Sequence, residues 1–196
     1  MKRAALLVAG LAAGCAGVVA PPPGAPERAK AARTYSATLR ISLESPTLRG
    51  RARALVAFER PDSLRLELPG PAGARCIAVA RGLSFVAVFP AERAVWRGAA
   101  TALEMETLLG VRLAPAELMD VLVGVGGPRL RVYRASWGGA VPRRLEATLD
   151  DGTRLTAIID SADLEPDLPK AAFDEPESAG WRIVEAGEAR RLLGIR

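Results

Sequence analysis

Between Tyr35 and Leu43 every second residue is apolar: Tyr35, Ala37, Leu39, Ile41 and Leu43 alternate with Ser36, Thr38, Arg40 and Ser42. A period of two is the signature of a strand with one buried and one solvated face. The same period returns along most of the chain. Ala52, Ala54, Val56 and Phe58 alternate with Arg51, Arg53 and Glu59, and Leu64, Leu66 and Leu68 alternate with Ser63, Arg65 and Glu67. "RCIAVAR" and "LSFVAVF", separated by Gly82, read as a hairpin, and "ERAVWRG" reads as a sixth short strand. "RPDS" and "PGPAG" supply turns. Successive strands with short links dictate an antiparallel meander.

The period then changes. Thr101 and Glu104 make a T-x-x-E capping box, Met105, Leu108 and Leu109 share a helical face, and Gly110 suits the helix end. Pro115 suits the first turn of a second helix, with Leu118, Val121 and Leu122 as its stripe and Gly124 after it. Strands resume at "RLRVYRA", "RRLEATL" and "RLTAIID". One more strand is expected around Trp181 to Val184, with a helical end beyond it. The fold class is mainly β with α (α+β). A long antiparallel sheet, apolar on one face, must curl around something, and the two short helices are the available filling.

The start of the chain has a different character. Met1-Lys2-Arg3 is a basic n-region, and "AALLVAGLAA" is an apolar stretch too short to span a bilayer. Residues 1–14 are therefore expected to be a signal peptide. "LAAGC" at 11–15 resembles a bacterial lipobox, which makes Cys15 the lipid-attachment residue. Its Leu11 stands one place earlier than the commonest position. "VVA" at 18–20 is the competing cleavage site, disfavoured by Pro21 just beyond it. Residues 15–33, rich in Ala, Pro and Gly, are expected to be an extended tether. Residues 34–186 form the domain, and 187–196 a C-terminal tail. Ala16 is not the Asp that marks inner-membrane retention in enteric bacteria, so the expected location is the outer membrane, facing the periplasm.

Of 196 residues, 27 are Lys or Arg and 22 are Asp or Glu, giving +5. The arginines are scattered among acidic residues without aromatic partners, which argues against nucleic acid. The chain has no histidine, which removes Ser-His and Cys-His pairs and His-ligated metal sites. No paired carboxylate or nucleophile–base pair stands out, so the expected protein is not an enzyme and carries no cofactor or metal. Asp160, Asp163, Glu165 and Asp167 read as a solvated acidic loop, and "GVGGP" as a turn after a helix. Arg49, Arg51 and Arg53 share one strand face and read as a solvated outer face, with contact to anionic membrane head groups as the alternative. Cys76 reads as a small buried hydrophobe.

Several segments, in order, resemble the LolA/LolB superfamily of periplasmic lipoprotein carriers and receptors, and LolB-like lipoproteins in particular. They are "LRGRARALVAF", "PDSLRLELPGPAGA", "ALEMETLLGVRLAPAELMDVLVG" and "AAFDEPES". The resemblance covers roughly residues 35 to 185. It implies an unclosed antiparallel half-barrel with the helices as a lid, and acyl chains of a lipoprotein between the two. A LolA-like periplasmic carrier is then an implied partner, and lipoprotein localisation the implied function. One departure is in the loop that carries a bulky apolar residue in LolB. Ala72 stands at that place, which forgoes roughly 2 kcal/mol of burial in a bilayer.

The residues themselves supply the apolar walls that an acyl chain needs. The inner face of the sheet offers Leu39, Ile41, Leu43, Val56, Phe58, Leu64, Leu66, Leu68, Phe85, Phe89 and Trp96. The lid adds Met105, Leu108, Leu109, Leu118 and Leu122. The same set would equally make a dry packed core, and the sequence leaves both readings open. It also leaves open a scaffold role in which the fold is a protein-binding surface without lipid cargo.

Overall fold

The computed structural model describes residues 18–45, 49–71 and 73–194. After α1 (Ala25–Ala31), six antiparallel strands follow in a meander: β1 (Thr34–Glu44), β2 (Arg49–Glu59), β3 (Ser63–Gly70), β4 (Gly73–Arg81), β5 (Ser84–Phe89) and β6 (Ala94–Ala99). Two helices, α2 (Ala102–Leu109) and α3 (Pro115–Leu122), lead to β7 (Leu130–Trp137), β8 (Pro142–Leu149) and β9 (Arg154–Leu164). β9 pairs with β1, so the chain leaves one side of the sheet and rejoins it on the other. A two-residue β10 (Arg182–Ile183) adds in parallel to β6, and α4 (Ala186–Leu193) follows. The sheet has ten strands in the order β10-β6-β5-β4-β3-β2-β1-β9-β8-β7. Its two ends do not pair, so it is an unclosed half-barrel.

The alternation read from the sequence sets the two faces. Leu39, Val56, Phe58, Leu64, Leu66, Phe85 and Phe89 join one cluster with Met105, Leu108, Met119 and Leu122 of the helices, which places α2 and α3 over the inner face. Thr101 Oγ1 accepts from Glu104 N at 3.3 Å, and Gly110 closes α2 in the left-handed conformation at φ 74°. At α3 the N-terminal carboxylate is Glu117, whose Oε2 accepts from Ala114 N at 2.7 Å. Gly124 (φ 88°) permits a close approach that any side chain would block: a Cβ there would meet Trp137 at 2.6 Å.

Two boundaries differ from expectation. The segment read as tether contains α1, whose Ala25 and Ala29 are fully buried in the main core, with Ala32 beside them. Composition misleads here because Ala is the strongest helix former and its small side chain lets a helix pack closely. Glu27 in the first turn and Arg28 and Lys30 in the last also favour the helix dipole. Before α1, Val19 exchanges bonds with β7: Trp137 N donates to its carbonyl at 3.0 Å, and its own N–H donates to Ser136 Oγ at 3.1 Å. The expected tail is α4, with Ala189 and Leu193 in the core. Arg190 fastens it to the lid by donating to the last carbonyls of α2, at Thr107 and, at 2.7 Å, at Glu106. The predicted signal peptide (1–14), Cys15 and Ala72 lie outside the described residues.

Candidate functional site

Between sheet and lid lies an apolar cavity of about 350 Å³. That is at the small end of ligand pockets and more than twice the roughly 150 Å³ engineered cavity that binds benzene. Its floor comes from β1, β2, β3, β4, β8 and β9, and its roof from Met105, Leu109, Val111, Leu118, Val121 and Leu122, with Leu193 of α4.

Space arises from how large and small residues meet across the ladder. Leu145 of β8 faces Ala157 of β9, which faces Ile41 of β1, which faces Ala52 of β2. In the next row Ala147 faces Leu155, which faces Leu43, which faces Gly50. Each large side chain stands beside a small one, and the sum of volumes falls short of the room under the helices. None of the chain's nine aromatic residues lines the cavity.

Ten of the sixteen residues expected on the walls line the cavity: Leu39, Ile41, Leu43, Val56, Leu66, Leu68, Met105, Leu109, Leu118 and Leu122. The other six, Phe58, Leu64, Phe85, Phe89, Trp96 and Leu108, do not. They are buried to 5% exposure or less and pack on one another. Tyr35 stacks on Phe58 with ring centroids 5.1 Å apart, and Phe85 meets Trp96 edge-on at 5.4 Å. Gly98 leaves the space into which the Trp96 ring folds: a Cβ there would lie 2.5 Å from the ring. Rings of this size fill the interior where they stand, so these six are core.

The mouth lies where β2 and β3 part. Their ladder runs only from Leu55–Glu67 to Glu59–Ser63, and Pro69 has no N–H to extend it. The exposed wall residues gather at this split: Arg51, Ala52 and Arg53 on the free edge of β2, Pro69 and Arg75 on β3 and β4, and Gly194 after α4. Arg75 is the extra residue of a β-bulge, since Leu68 faces Cys76 while Pro69 faces Ala74. A bulge re-aims a side chain off the strict alternation, and here a Cβ on Gly194 would lie 3.3 Å from Arg75 Nη1. Arg49, by contrast, pairs with Glu44 at 2.8 Å.

The lid is pinned on several sides. Tyr133 OH donates to Val121 O at 2.9 Å, Arg60 pairs with Asp120 at 2.8 Å, and Arg129 pairs with Glu117 at 3.3 Å. The Arg60 guanidinium also lies 5.3 Å from the Phe58 ring centre. Cys76 is in the cavity wall, and burial pushes its thiol up to about 12. Asp160 and Asp163, expected in an acidic loop, stand instead in β9, where Asp160 pairs with Arg40 at 2.9 Å. No group of three His, Cys, Asp or Glu is placed to hold a metal ion among the described residues. No helix among them is long and apolar enough to cross a membrane.

No protein-family model and no curated protein matches the chain. Solved structures do. The chain is similar to a LolA superfamily protein from Nitrosomonas europaea (TM-score 0.46, 12% identity, covering 80% of this chain and 99% of that one). It is also similar to an uncharacterized conserved protein from Thermus thermophilus (0.47, 11%, 82% and 96%). A third similar structure is a DUF1329 family protein from Desulfovibrio piger (0.43, 11%, 79% and 98%).

Wall residues that the sequence reading did not place there include Leu145, Ala147, Leu155 and Ala157, together with Gly50, Arg75 and the two arginines read as a solvated face, Arg51 and Arg53. The alternation in "RRLEATL" and "RLTAIID" marks the first four as inward-facing. Only the β1–β9 pairing brings them beside Ile41 and Leu43.

Proposed function

We propose that this chain binds an acyl chain in the cavity beneath α2 and α3, as a lipid-anchored, periplasm-facing outer-membrane protein of lipoprotein localisation. The observation that carries the reading is the cavity itself. Among the described residues it is walled mostly by aliphatic side chains, with no aromatic ring and no acidic residue, and its exposed wall residues gather at the split between β2 and β3. An apolar void of this kind stays dry and takes apolar guests, and an acyl chain is flexible enough to follow its irregular walls. The anchor rests on the lipobox-like "LAAGC" ending at Cys15, and the lipoprotein role on the ordered resemblance described above. A LolA-like carrier is the partner that this role requires.

Mass spectrometry of the full chain recovered from a bacterial envelope tests both parts. A diacylglyceryl adduct on Cys15 and co-purified lipid or acylated peptide are expected. Acylated peptide, in preference to free lipid, supports the localisation role. An unmodified Cys15 contradicts the anchor. An empty interior with a specific protein partner contradicts the cargo and favours a scaffold.

A further inference from the structure

We propose that the guest is an anionic amphiphile, whose head group is held at the cavity mouth by Arg51, Arg53 and Arg75; this rests on the cavity being a chain-binding site. Among the described residues, the charged ones that line the cavity are these three arginines, with no acidic residue in the wall. None of the three has an ion-pair partner among the described residues. That is a local feature, because twelve other arginines of the chain are paired with Asp or Glu. The nearest carboxylate in the β1–β2 hairpin, Glu44, is already shared by Arg49 at 2.8 Å and Arg154 at 3.0 Å.

The three arginines border one opening by two devices. Arg51 and Arg53 face Ser42 and Arg40 across the β1–β2 ladder, so their side chains start from the outer face, but β2 lacks a β3 neighbour before Leu55, and from this free edge two long side chains reach round to the split that they border. The bulge at Arg75 brings that guanidinium toward the end of α4, across the same opening. An amphiphile entering here keeps its charged end in the wet mouth and its chain in the apolar interior, so no charge is desolvated without a partner. A guanidinium fork matches a carboxylate or a phosphate equally well. The shared chemistry is therefore a long aliphatic chain ending in an oxyanion, supplied either by a free fatty acid or by a phospholipid.

Equilibrium binding of palmitate, palmitoyl lysophosphatidate and neutral hexadecanol to the full chain at low salt tests the proposal. At least one anionic ligand should bind about tenfold or more tightly than hexadecanol, the size of a charge-assisted bond, and added salt should shrink the difference. The tighter anion assigns carboxylate or phosphate. The preference should fall to near unity in Arg51→Gln/Arg53→Gln/Arg75→Gln and survive in part with Lys at the same positions. If the triple variant does not fold, Arg75→Gln alone should cut the preference severalfold. Equal affinity for charged and neutral chains overturns the head-group proposal and leaves chain binding standing. A preference unchanged by the variants overturns the role of these arginines. No binding of any of the three chains overturns the underlying reading.

Discussion

One interior is built in two ways. Toward the Tyr35 end of β1 and the β5–β6 side, the space between sheet and helices is filled with rings: Tyr35, Phe58, Phe85, Phe89 and Trp96 are buried against Leu64 and Leu108. Toward the Leu43 end, the same sheet carries Gly50, Ala52, Ala54, Ala147 and Ala157 among its leucines, and the space is empty. Both regions read as alternating apolar strands. What separates them is side-chain volume at cross-strand neighbours, and the lesson is that hydrophobic pattern specifies a face while volume specifies whether that face is a core or a container.

The contrast can be broken by substitution. Phe85→Ala, in the filled region, should cost about 3–5 kcal/mol in denaturant unfolding, because it removes contacts and opens a new void. Leu43→Ala, on the wall of an existing void, should cost about 2 kcal/mol or less. Equal costs would erase the distinction. Next in size is the reverse experiment. Ala87→Leu, in the packed region, should destabilise by about 1–3 kcal/mol through overpacking. Ala157→Leu should be neutral or stabilise by up to about 1 kcal/mol, since added methylenes find empty apolar space. It should also weaken chain binding.

The smallest effect sharpens the picture of the empty region's wall. Burial raises the Cys76 thiol from 9.0 to about 12 in the folded chain. Above about pH 9 the unfolded chain loses this proton while the folded chain keeps it, so stability falls as pH rises. Relative to Cys76→Ala, which has no thiol to ionise, the loss should reach about 1 kcal/mol by pH 10 in denaturant titrations. No difference in slope between the two would place the thiol in contact with solvent.

Much of this was legible in the sequence, and the exceptions have physical causes. The strands of the meander and both lid helices follow from period, caps and turns. α1 was hidden because "APERAKA" sits in a Pro- and Gly-rich stretch whose composition says extended chain, while its buried face is two alanines. The helical end of the chain was expected, but its docking into the core was not legible, because its anchoring is tertiary, through Arg190 to the end of α2. The sixteen apolar residues expected on the walls divide into ten that line the cavity and six that pack. No periodicity separates them, because the division depends on which alanine stands across the ladder. Strict alternation would put Arg75 on the outer face with Ile77, and the bulge after Leu68 breaks that alternation.

The central claim is that an aliphatic chain lies in the empty region and nowhere else in the interior. Nuclear Overhauser contacts between unlabelled palmitate and methyl-labelled Leu, Ile and Val of the full chain test it directly. Contacts are predicted to Leu39, Ile41, Leu43, Leu66, Leu118 and Leu155, with none to Leu64 or Leu108. Contacts to Leu64 or Leu108, or to surface methyls such as Leu83 alone, would contradict it.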